Sequence, residues 1–399
     1  MNTILKNKLG GLEGEIKSFS EKLNQFKLQQ GNMSQLESMI TSEMEKLGFD
    51  EVKTDEVGNI IGIIKGYKSV DDIVLLSNID LPVADDDSSP ENKASIMFDD
   101  DKSGIVTSIF TGALLKRSLA LLTGNLIVAC ITRSESCGFG VKQLFNQQLK
   151  KEKIKGVILC EPTDFNIHTG NKGQLEYEIV VHEANHNDNS HKYEQILDTK
   201  KNNLLNSLNS VSERLPMDNE LGKPTLVVKN VCYKTNPYDN GNREIHIKVD
   251  RTFTPAENED VILQNAKRLT KNIFNEDGTI EDTHIDENQI TTSTGKTLKE
   301  VKDYKPWKME GYHPFVVNSL EALQENDFNT SVGYWKKRIT EGSFTNGELK
   351  IPTIGFGAGK QESTQGISFN DLLKSIYGKT LIIYRQIGVP TFGWDDGEI

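Results

Sequence analysis

Short apolar runs alternate with amphipathic helical stretches between residues 72 and 160, and this alternation is the strongest constraint on the fold. DIVLLSNI (72–79), NLIVACIT (125–132) and KGVILC (155–160) are almost wholly apolar, as strands buried on both faces must be. SGIVTSIFTGALLKR (103–117) and VKQLFNQQL (141–149) lie between them with apolar residues at helical spacing. Strands that alternate with helices predict a largely parallel α/β sheet covered by helices on both sides. Upstream, the pattern predicts a helix over 3–28, interrupted in composition by Gly10, Gly11 and Gly14. A second helix is expected from Ser34 to Leu47, followed by two strands around a Val-Gly-Asn turn in 52–66.

The character changes near residue 172. GQLEYEIVVHE (173–183) alternates apolar and polar residues, the signature of a strand buried on one face. A helix around 196–213, strands over 224–235 and 243–250, a helix over 258–274 and a strand near 280–287 complete a β-α-β-β-α-β unit, a ferredoxin-like α+β insert. The expected division is therefore an α/β domain from 1–171 and 288–399, interrupted by a lid over 172–287. A helix at 313–325, an extended segment over 347–359 and a final helix over 369–387 return the chain to the first domain.

The chain has 399 residues and a formal net charge of −12, which argues against nucleic acid or an anionic membrane as the main partner. No apolar run approaches the ~18 residues needed to span a bilayer. Two of the four cysteines, Cys130 and Cys160, sit in apolar runs where a thiol acts as a small hydrophobe, and no CxxC pair exists. These features lead to the expectation of a reduced, cytoplasmic protein.

Ligands of open α/β sheets bind beyond the carboxyl ends of the strands. Here those ends carry Asn78-Ile79-Asp80, Arg133-Ser134-Glu135-Ser136 and Glu161-Pro162-Thr163, with Asp99-Asp100-Asp101 just before the first crossover helix. Acidic residues at such junctions also serve as helix caps and dipole partners. Four converging groups of this kind point instead to a cation or a proton shared among them.

At these positions the sequence resembles the co-catalytic zinc amidohydrolases and peptidases: acetylornithine deacetylase, succinyl-diaminopimelate desuccinylase, glutamate carboxypeptidase and peptidase T. Within that family it looks most like the selenium-metabolism hydrolases. The likeness runs through LGFDEVKTDEVGNIIGIIKG (47–66), DDDKSGI (99–105), CEPTDFNIHTGNKG (160–173), KVDRTFTP (248–255) and FTNGELKIPTIGFGAGK (344–360). It implies two zinc ions about 3.5–4 Å apart sharing a water, with a glutamate as general base.

Carried over position by position, the family's His-x-Asp falls on Asn78 and Asp80, and its bridging aspartate on Asp100. The Glu-Glu pair falls on Glu135 and Ser136, which gives Glu135 the place of the general base. The carboxylate of the Glu-Pro-Thr motif is Glu161, and the final histidine falls on Gln365. The resemblance further implies substrate contacts at Arg251, Asn346, Gly357 and Gly359, a homodimer formed through the lid, and a small amide or peptide ligand.

Both imidazole ligands and one carboxylate are thus replaced by Asn78, Gln365 and Ser136. Amide and hydroxyl oxygens bind zinc far more weakly than imidazole and carboxylate, so zinc is expected to be weak or absent and the chain to be a degenerate, non-catalytic member. The alternative is an active hydrolase with an all-oxygen site built from these carboxylates, suited to Mg²⁺, Mn²⁺ or Ca²⁺. His182, His186 and His191 in the loop HEANHNDNSH read as a solvated lid loop, with metal binding as the less favoured reading.

Overall fold

The fold is taken from a computed structural model that describes residues 2–26, 33–68, 70–79, 100–132, 138–182, 191–235, 243–274, 280–291, 297–360 and 366–389. The chain opens with α1 (Asn2–Gly10), α2 (Glu13–Gln25) and α3 (Met33–Lys46). The single helix expected over 3–28 is therefore two, broken at Gly11-Leu12, where the glycine run weakens helix propensity. Leu5, Leu12, Ile16, Phe19 and Leu23 are all buried, so the apolar stripe survives the break.

The antiparallel pair β1 (Glu51–Thr54) and β2 (Ile60–Ile64) follows, then β3 (Asp72–Asn78), α4 (Asp100–Arg117), β4 (Leu126–Ile131), the short α5 (Phe139–Gln143), β5 (Ile154–Leu159) and β6 (Ile167–Asn171). A π-helical turn, Leu144–Gln148, continues α5. β3 pairs in parallel with both β4 and β5, as the apolar runs predict. Every residue of β4 is buried, which is the condition under which a strand needs no polar face.

The insert comprises β7 (Gly173–His182), α6 (His191–Arg214), β8 (Leu226–Thr235), β9 (Arg243–Phe253), α7 (Glu259–Phe274) and β10 (Ile280–Ile285). Its strand order, β10-β7-β9-β8, with antiparallel pairs throughout, is the ferredoxin-like arrangement expected from the sequence. A hairpin, β11 (Glu287–Thr291) with β12 (Thr297–Val301), comes next, and β13 (Asp303–Tyr304) adds to the insert's sheet by pairing with β7. The lid has its own core: Leu175, Ile179, Ile245, Ile247, Leu204 and Ile262 pack in a cluster separate from that of the larger domain.

The chain then returns through β14 (Trp307–Lys308), α8 (Pro314–Gln324), β15 (Val332–Trp335), β16 (Thr353–Gly355) and α9 (Phe369–Ile387). The segment expected to be extended over 347–359 is extended only in part: Ser343–Glu348 forms a π-helical turn, and only Thr353–Gly355 is strand. β16 lies beside β5 in parallel and β6 on its other side, which completes the nine-stranded sheet. His313 caps α8, its Nδ1 accepting from the Phe315 amide at 3.1 Å, and Ser368 caps α9.

Candidate functional site

The carboxyl ends of β3 and β5 bring two of the predicted residues together. The Asn78 side-chain amide donates to Glu161 Oε1 at 3.0 Å. Arg338, three residues past β15, places Nε 2.8 Å from the other oxygen, Oε2. The guanidinium approaches off its N–H axis, so this contact is an ion pair rather than an aligned hydrogen bond. Glu161 is the buried member, its side chain 6% exposed against 34% for Arg338.

The scaffold around Glu161 is tight. Thr163 and Gly357 exchange hydrogen bonds: the hydroxyl donates to the Gly357 carbonyl at 3.2 Å and accepts from its amide at 3.0 Å. A Cβ at Gly357 would lie 2.4 Å from the Glu161 carbonyl oxygen, so only glycine permits this approach. Gly359 has φ +87°, a left-handed conformation, and its carbonyl accepts from the Asp164 amide at 2.7 Å. The indole of Trp335 donates to the Pro162 carbonyl at 3.1 Å. Gly357 and Gly359 thus brace the Glu161-Pro162-Thr163 turn with backbone.

Behind the turn lies a second cation. Lys379 on α9 is 1% exposed, and its ammonium donates to Thr107 at 2.8 Å and to Ser375 at 2.7 Å. Burial lowers its pKa from the usual lysine value. Burial also pushes the Cys160 thiol up to about 11 and the Cys130 thiol up to about 12, so both remain protonated, as expected of structural thiols. His168 on β6, 6% exposed with its ring edge-on to Trp335, is held down at about 4 by burial.

The start of α4 adjoins the site, since a Cβ at Gly104 would lie 2.7 Å from the Cys160 carbonyl oxygen. The Asn346 amide donates to the Ile351 carbonyl at 3.0 Å. Arg251 sits on β9 in the alternation Ile245, Ile247, Val249, Arg251, Phe253, all buried in the lid core, and its guanidinium pairs with Glu257 at 2.7 Å. Thr252 points to the opposite face. Asp100 is the first residue of α4. Asp80, Glu135, Ser136 and Gln365 lie outside the described residues, as do Asp99, His186 and the side chains of His182 and His191.

The described residues of the site do not by themselves suit zinc. Asn78, which the resemblance sets at an imidazole ligand's place, spends its amide as a donor to Glu161, and Glu161 already faces a guanidinium. Among the described residues no three His, Cys, Asp or Glu side chains are grouped to hold a metal ion. Arg338 escaped the sequence reading because Lys336-Lys337-Arg338 resembles an ordinary solvated charge run.

No protein-family model matches the sequence. The chain is 26% identical over 334 residues to the uncharacterized protein YgeY of Escherichia coli K12, a match that covers 81% of each. Among solved structures it resembles the aminopeptidase PepT of Bacillus cereus (TM-score 0.68, 16% identity, 94% of this chain and 98% of that one). It also resembles YxeP of Bacillus subtilis, a dinuclear metal-binding peptidase of the M20 family (TM-score 0.67, 12% identity, 94% and 98%). The dipeptidase Dug1p of Saccharomyces cerevisiae is similar as well (TM-score 0.66, 10% identity, 97% and 98%). No helix among the described residues is long and apolar enough to cross a membrane. The chain has the fold of the M20-family peptidases and their aminohydrolase relatives.

Proposed function

We propose that this chain is a non-catalytic member of the amidohydrolase and peptidase fold, in which a protein cation has taken over the electrostatic task of a metal. The observation that carries this reading is the position of Arg338 against Glu161, with Asn78 donating to the other carboxylate oxygen. A buried carboxylate needs a partner. In a metallopeptidase the dication supplies it; here a guanidinium and an amide do. An arginine keeps its charge at any pH of interest and so serves as a permanent counter-ion. The cleft is then free to bind a small amide or peptide without cleaving it, and the homodimer would form through the lid, whose edge strand β8 exposes Val227 and Tyr233.

A second reading rests on one atom. Asn78 Oδ1 is buried and accepts no hydrogen bond from a described residue. A neutral carbonyl oxygen of this kind suits a hard cation such as Mg²⁺, Mn²⁺ or Ca²⁺ better than zinc. Hydrolysis of a panel of dipeptides and N-acyl amino acids, with zinc, Mn²⁺, Mg²⁺ or Ca²⁺ added in turn, separates the two. The first reading expects no turnover with any metal and no thermal stabilisation. Turnover with the hard cations alone would establish the second, and turnover with zinc would overturn both.

A further inference from the structure

The lid contains a cavity of about 630 Å³ between α6 and α7, within the size range of small-molecule sites. None of its lining residues belongs to the Asn78–Glu161–Arg338 cluster. Leu208, Val211, Leu226, Ile262 and Leu269 make its walls largely apolar. Its polar residues include Arg251, Glu257 and Arg268.

One atom at the polar end points to a ligand. Glu257 Oε1 accepts from Arg251 at 2.7 Å, whereas its twin, Oε2, is buried and has no hydrogen-bond partner. A buried carboxylate oxygen left unpaired is costly, so the site is complementary to a donor. The Glu257 side chain is 24% exposed and the terminal torsion of a glutamate is soft, so a small rotation presents Oε2 to the cavity. The neighbours set the charge that the donor can carry. Arg251 and Glu257 offset each other, and Arg268, which donates to Asn265 at 3.1 Å, adds a further positive charge. A cationic donor would be repelled by that excess, and a carboxylate would bring a second acceptor against Oε2. A hydroxyl avoids both, since it is neutral and donates one hydrogen bond.

We propose that this lid cavity binds a small apolar molecule with a neutral hydroxyl head, the hydroxyl donating to Glu257 Oε2 and the hydrocarbon lying between α6 and α7. The proposal concerns the lid alone and does not depend on the reading of the Glu161 site.

The probe is octan-1-ol, titrated calorimetrically into the full-length protein and compared with heptyl methyl ether, an isomer that accepts hydrogen bonds but cannot donate one. The alcohol should bind saturably, one per chain, with the ether at least about tenfold weaker, because a hydrogen bond to a carboxylate is lost. Octylammonium should also bind more weakly than the alcohol. Glu257→Gln keeps an acceptor for Arg251 and puts an amide donor where Oε2 was, so the advantage of the alcohol over the ether should vanish. Asn272→Trp, at an exposed position on the cavity rim, should abolish binding of the alcohol while circular dichroism stays unchanged. The comparison of the three probes uses the wild-type protein and holds whether or not either variant folds. No binding of octan-1-ol, equal binding of alcohol and ether, tighter binding of octylammonium, an alcohol preference that survives in folded Glu257→Gln, or binding that survives in Asn272→Trp would each overturn the proposal.

Discussion

The molecule holds two guanidinium–carboxylate pairs that are mirror images in burial. At the strand ends the carboxylate is inside, Glu161 at 6% exposure, and Arg338 outside at 34%. In the lid the guanidinium is inside, Arg251 at 3%, and Glu257 outside at 24%. The inner partner of such a pair depends on the outer one, because a lone buried charge is strongly unfavourable while a half-exposed one can be hydrated. Where the inner partner is an acid, a metal or an arginine can satisfy it. Where it is an arginine, a carboxylate such as Glu257 can.

The largest effect is expected from Arg338→Ala, which removes the guanidinium that faces the buried Glu161 carboxylate. Chemical denaturation should report a loss of about 3 kcal/mol. A loss under about 0.5 kcal/mol would mean that Arg338 is an ordinary surface charge.

His168 lies near the first pair and should make the larger domain acid-sensitive. Its folded pKa of about 4 lies below the usual 6.5, so the unfolded chain binds a proton that the folded one refuses. Its contribution is complete above pH 6.5 and declines as pH falls toward 4, by up to about 3 kcal/mol. His168→Phe should flatten that part of the stability–pH curve; an unchanged curve would place the acid sensitivity elsewhere.

The mirror pair should respond less. Glu257→Ala strands Arg251, but the adjoining cavity admits water to the guanidinium, so a loss of about 1–2 kcal/mol is expected in the same denaturation experiment. If the loss equals that of Arg338→Ala, burial of the inner partner rather than access to water sets the scale. Lys379→Met removes a fully buried ammonium and should change stability by less than about 1 kcal/mol in either direction, since a similar apolar volume replaces a desolvated charge.

Much of this fold was legible because pattern and burial coincide. The fully apolar runs became β3, β4 and β5, and the period-two alternation of 173–183 became β7, with its apolar residues in the lid core. The short strands β6, β14 and β15 were not legible: IHTGN, WK and VGYW carry too little periodicity, and partners distant in sequence hold them in place. The site was legible only through its carboxylate. Glu161 and Asn78 could be placed by motif, whereas Arg338 arrives from 177 residues away on a segment whose composition suggests solvent.

The most direct test of the central claim is zinc content, measured by elemental analysis on wild-type protein purified without chelator and on Glu161→Gln. The account predicts no stoichiometric zinc in either protein, because Arg338 already neutralises the carboxylate that a metal would need. About two zinc ions per wild-type chain, lost in Glu161→Gln, would contradict it and make the chain a working metallohydrolase.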